Sequence, residues 1–71
     1  MHEYLVHVAS VPLGFPLEGV SYVHTYRLMA NSPEAAVTTI EQNWHLLSTA
    51  KIDRIWAESV EHAMLLHTLG L

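Results

Sequence analysis

Six histidines in a chain of 71 residues are the feature most suggestive of chemistry, and their spacing decides what they can do. Two imidazoles share a helix face only at i,i+3 or i,i+4, the separations from which one helix builds a zinc site. His62 and His67 are five apart, and Glu61-His62 lacks the rest of a His-Glu-x-x-His frame. His7 and His24 fall in separate extended segments; with Glu3 they would hold a divalent ion if both rings shared one sheet face. Ligand types without ligand spacing do not make a site, so the sequence predicts no bound metal. Left as surface groups, the six imidazoles add six charges to the formal −4 on full protonation and give +2. Association is therefore expected to vary between about pH 5 and 7.

The inventory for catalysis is thin. The chain has one aspartate, Asp53, no cysteine, no carboxylates paired at a recognisable spacing and no glycine-rich phosphate cradle. Ser32 and Ser59 stand where helix caps are needed. The sequence predicts no enzyme, no catalytic residue and no cofactor. Three Lys and Arg against seven Asp and Glu remove the electrostatic term that dominates nucleic-acid affinity. A nucleic-acid partner is not expected unless Arg27, Lys51 and Arg54 gather on one sheet face. No apolar run reaches membrane-spanning length, residues 1–10 alternate rather than forming a signal sequence, and nothing marks an oxidising compartment. The expectation is a soluble, cytoplasmic protein of one domain, residues 1–71, with no membrane association.

The elements that position these groups follow from periodicity. Residues 3–10 alternate Tyr4, Val6 and Val8 with Leu5, His7 and Ala9, the period of a strand with two fairly apolar faces. Two prolines and two glycines in residues 11–19 break the ladder and predict a loop. Residues 20–30 return to β-branched and aromatic types, with Tyr22, His24, Tyr26 and Leu28 on one face and Val23, Thr25, Arg27 and Met29 on the other. In Asn31-Ser32-Pro33-Glu34, Ser32 suits the N-cap, Pro33 the first helical position and Glu34 the positive dipole end. The helix that follows carries Ala36, Val37, Ile40, Trp44 and Leu47 as one apolar stripe and fades near Ser48 and Thr49.

Periodicity alone reads residues 52–69 as one further helix, which would make the fold ββαα. An internal repeat argues otherwise. Arg27-Leu28-Met29-Ala30-Asn31-Ser32-Pro33-Glu34-Ala35-Ala36 recurs 27 residues later as Arg54-Ile55-Trp56-Ala57-Glu58-Ser59-Val60-Glu61-His62-Ala63, with five of ten positions identical. On that reading residues 51–57 are a third strand, Ser59 caps a second helix and Gly70 closes it. Strands two and three then run parallel, side by side or one apart. The expected fold is α+β: a small ββαβα domain with helices on one face of a three-stranded sheet, and both Trp44 and Trp56 in its core.

The junction Met29-Ala30-Asn31-Ser32-Pro33-Glu34-Ala35-Ala36 resembles the apolar-x-Ala-x-Ser-x-Glu-Glu-Ala strand-to-helix junction of many small phage- and plasmid-encoded proteins, compact anti-CRISPR inhibitors and accessory proteins among them. The likeness spans about ten residues in each copy. In the second copy Val60 replaces the proline and His62 an alanine. It is a folding signature and implies no particular family.

Hydrophobic residues make up 51% of the chain and charged residues 14%, little polar cover for so small a body. The expected function is that of a small non-enzymatic protein-binding module, homodimeric, resembling phage-encoded inhibitors or accessory proteins that occupy a surface of a larger assembly. The alternatives are a histidine-based metal- or ligand-binding regulator and a nucleic-acid accessory. The residues expected to meet a protein partner are Leu13, Phe15 and Leu17 in the loop, Tyr22, His24 and Tyr26 on the second strand, and Leu65 and Leu69 near the C-terminus. The Tyr-His-Tyr row is exposed if the helices cover the Val23 face, and packs beneath them if they do not.

Overall fold

The computed structural model describes residues 1–12 and 21–68. Its elements run β1 (His2–Val11), β2 (Tyr22–Ala30), α1 (Pro33–Leu47), β3 (Lys51–Ser59) and α2 (Val60–Thr68), the ββαβα order that the repeat predicts. The ββαα alternative fails because residues 51–59 are extended and hydrogen-bonded along β1. Sheet order is β2-β1-β3, with both outer strands antiparallel to β1. β2 and β3 are consequently parallel to each other with β1 between them, one of the two arrangements expected for a strand-helix-strand unit.

β1 is the middle of the molecule in both directions. Tyr4, Val6, Val8 and Ser10 are buried beneath α1. Tyr26 and Leu28 of β2 and Ile55 and Ala57 of β3 flank this row on the same face. α1 closes the core with Ala36, Ile40 and Trp44, the positions its 3.6-residue period places on one side. Removing side chains such as Val6, Val8 and Ile40 from water contributes about 1.5–3 kcal/mol each. The Trp44 Nε1–H donates to the Ala50 carbonyl at 2.7 Å, so the indole is buried with its one polar atom satisfied. Its ring meets Tyr26 edge-on at 6.2 Å. Ser48 ends α1: its amide donates to the Trp44 carbonyl, and its hydroxyl accepts from the Ala50 amide at 3.0 Å, which starts β3 three residues after the helix.

The two repeat copies fold alike. Ser32 Oγ accepts from the Ala35 amide at 3.1 Å and Ser59 Oγ from the His62 amide at 3.0 Å, the same position in each copy. The copies differ in how their strands end. β2 stops at Ala30, two residues before its cap, whereas β3 runs through Ser59 itself, two residues beyond the expected end at Ala57. α2 therefore leaves β3 without a linker. It touches β1 and β3 and, among the described residues, makes no contact with α1.

Because α2 has so little tertiary support, its cap carries more of its stability than Ser32 carries for α1. Ser59→Ala is expected to cost about 1 kcal/mol and to raise amide exchange across residues 60–68 while leaving α1 protected. Ser32→Ala should instead lower the global unfolding midpoint. Hydrogen exchange read residue by residue separates the two outcomes.

Candidate functional site

α1 covers one face of the sheet and leaves the opposite face to the other side chains of the three strands. Strand alternation and register assemble it from all three strands: Thr25 and Trp56 flank His7, Arg27 and Glu58 flank Leu5, and Val23 and Arg54 flank Ala9. Val23 is 59% exposed, Met29 54% and Trp56 37%. Apolar surface and polar groups therefore share one flat face.

His7 is the hub of the polar groups. One ring nitrogen, Nε2, lies 3.0 Å from Glu58 Oε1 and the other, Nδ1, 2.9 Å from Thr25 Oγ1. An ionised carboxylate only accepts, so Nε2 carries a proton and donates to Glu58; in the neutral ring Nδ1 then accepts from the Thr25 hydroxyl. The hydroxyl can turn and accept instead, so an imidazolium keeps both bonds. The His7 ring also stacks on Trp56, centroids 5.3 Å apart and planes 28° from parallel, and the Arg54 guanidinium carbon stands 4.7 Å from the centroid of the same indole. Trp56 is thus exposed yet held from two directions.

A second pair lies along the same face. Arg27 donates through Nε to Glu3 Oε2 at 2.7 Å and through Nη2 to Glu3 Oε1 at 2.8 Å, a two-pronged pairing. These bonds hold the Glu3 carboxyl below its ordinary range and raise Arg27.

The order carboxylate, imidazole, hydroxyl in Glu58, His7 and Thr25 is the order of a nucleophilic relay. The amides of paired strands lie in the plane of the ladder and do not point out of the face, so the hydrogen-bond donors above it are side chains. The arrangement can orient and immobilise side chains.

Several sequence expectations change here. His7 and His24 lie on opposite faces, since His7 pairs with Thr25 and His24 with Val8. They do not meet, and among the described residues no three His, Asp or Glu side chains gather to hold a metal ion. Arg27 and Arg54 are separated by β1 and sit opposite Leu5 and Ala9, so they form no cationic patch. Trp56 is not a core residue, because the register turns it to the uncovered side.

Of the expected partner-binding residues, Tyr22, His24 and Tyr26 lie on the α1 side of the sheet. Tyr26 packs on Trp44, while Tyr22, 49% exposed, and His24 stand beyond the cover of the helix. The continuous exposed platform does not form, since α1 covers the Tyr26 and Leu28 face. Leu65 is 56% exposed on α2, beside a shallow depression that Ser59, Glu61 and His62 help to line. Leu13, Phe15, Leu17 and Leu69 lie outside the described residues. His7, Arg54, Trp56 and Glu58 were not among the expected contact residues. The repeat held the signal, for it pairs Trp56 with Met29, a residue that alternation had set opposite the Tyr26 face.

Comparison with protein-family models, with curated proteins and with solved structures returns no match for this chain. Among the described residues no helix is long and apolar enough to cross a membrane.

The Glu3 and Arg27 pair yields a pH test with a definite sign. A carboxyl whose folded value is depressed contributes stability above its unfolded value, and that contribution is lost as pH falls through the folded value. Glu3→Gln should therefore lower the melting temperature slightly at neutral pH, and the gap from wild type should close in acid below the ordinary carboxylate range. A gap that persisted unchanged through that range into stronger acid would remove the pair from the stability balance.

Proposed function

We propose that this chain is a non-enzymatic protein-binding module and that its uncovered sheet face is the surface that recognises protein. The observation that carries the reading is Trp56. Tryptophan is among the residues that most often dominate binding energy, and this indole is exposed at 37% while His7 and Arg54 fix its position. A side chain ordered before contact loses little entropy on contact. Val23 and Met29 extend the apolar area across the face. An open sheet face suits a protein surface better than a small solute, which needs a concave site to bury most of its area.

The polar groups support the same reading. Among the described residues no buried side-chain nitrogen or oxygen lacks a partner, and on this face His7 bonds Thr25 and Glu58 while Arg27 bonds Glu3. A docking protein therefore strips water from groups that already have hydrogen bonds. The cost of covering them is lower than for unpaired charges.

A photoreactive amino acid placed at Val23 on this face, and separately at Gln42 on the exposed side of α1, tests the proposal in cells that produce the chain. Covalent protein adducts are expected from position 23 and not from 42. Trp56→Ala in the position-23 background should weaken the captured interaction about 30-fold, the equivalent of ~2 kcal/mol. Equal capture from both positions, or none from 23, overturns the reading.

A further inference from the structure

We infer that the uncovered face docks a second copy of this chain, face to face, about a two-fold axis that passes over His7 and runs across the strands. The inference rests on the reading of that face as a protein-docking surface and names its occupant. Three observations carry it.

The first is charge order along β3. Glu58 lies opposite Leu5, Trp56 opposite His7 and Arg54 opposite Ala9, so an acid and a base stand at equal steps on either side of Trp56. A two-fold axis across the strands at the level of His7 exchanges those two ends. Each Glu58 then faces the Arg54 of the other copy, Trp56 faces Trp56, and Leu5 faces Ala9. An interface of this kind must be complementary to itself, and the β3 row meets that condition. The other in-plane axis, along the strands, would set Glu3 against Glu3 and Glu58 against Arg27, whose fork Glu3 already holds.

The second is what remains open on those two groups. Glu58 uses Oε1 for His7, which leaves Oε2. The Arg54 guanidinium stands over the Trp56 ring and, among the described residues, has no carboxylate partner. Its N–H fork is available for the two-pronged carboxylate geometry that Arg27 already makes with Glu3.

The third is area. Three strands spaced about 4.8 Å apart and nine residues long present roughly 14 by 30 Å of projected face, and side-chain relief brings the surface lost by two copies to the order of 1,000 Å², the lower bound for a specific interface. Two such sheets stack at about 10 Å and align within about 30°, and each then gains the second layer that its own chain supplies on the α1 side only. Pairing through the sheet edges competes less well at β3, where the register shift between Ala9 and Ser10 leaves Asp53 without a partner on β1 and Lys51 adds charge.

Charge exchange tests the geometry by light scattering on the purified full chain. Wild type is expected at twice the chain mass of 8.0 kDa. Glu58→Arg alone and Arg54→Glu alone should each set like charges against each other twice and weaken association at least ~100-fold. An equimolar mixture of the two variants should recover the dimer mass, and so should the double variant carrying both exchanges. Far-UV circular dichroism checks each fold. If Glu58→Arg fails to fold, Arg54→Glu carries the test by itself, since it leaves the bond between His7 and Glu58 in place.

A monomeric wild type, single variants that remain dimeric, or a mixture that stays monomeric each overturns the inference. Adducts from position 23 to a different protein, with a monomeric wild type, would sink the second copy and leave the docking surface standing. A monomer with no adducts sinks both.

Discussion

Trp44 is the contact on which the placement of everything else depends. It is buried in the α1 stripe, its indole nitrogen donates to Ala50, and its ring edge meets Tyr26. One side chain thereby joins the helix to β2 and to the residue just before β3. The position of Ala50 fixes where β3 enters the sheet, and the pairing with β1 then determines which β3 residues turn away from the helix. Arg54, Trp56 and Glu58 reach the far face because their β1 partners Ala9, His7 and Leu5 point there.

That far face exists because one layer of helix can cover only one side of a sheet. β1 places its hydrogen bonds on two neighbours and its even-numbered side chains under α1, while Leu5, His7 and Ala9 point away from α1. An antiparallel sheet tolerates this when the bare side is polar. Here it is only partly polar. Val23, Met29 and Trp56 remain in water, and a domain of this size has little core with which to offset such exposure. Covering them at roughly 25 cal/mol per Å² is the simplest gain left to the fold.

Much of the architecture was legible in the sequence, and the reasons are local. Ser32, Pro33 and Glu34 each satisfy a requirement of a helix start, so that boundary needed no tertiary information. The third strand is different, because Ile52, Ile55, Trp56 and Val60 fit a helical stripe as well as a strand. Only the likeness to residues 27–36 separated the two, and the matching amide-to-serine bonds at Ala35 and His62 show why the likeness has physical content. What periodicity could not supply was the pairing. Whether His7 meets His24 or Thr25 depends on register, and a shift of one residue exchanges the faces. The same ignorance hid the fate of Trp56, whose size argues for burial unless its neighbours on β1 are known.

The polar network on this face orders the side chains around it. Thr25 stands opposite His7 on β2, and Glu58, which stands opposite Leu5 on β3, reaches His7 diagonally, so the three side chains link all three strands. This link acts as a strut. It holds the His7 ring flat against Trp56 from one side as Arg54 does from another, so the largest apolar group on the face is ordered before any partner arrives. Arg54 enters that arrangement without a carboxylate partner among the described residues, and Glu58 stands at the mirrored step of the same strand, so an acid and a base bracket Trp56.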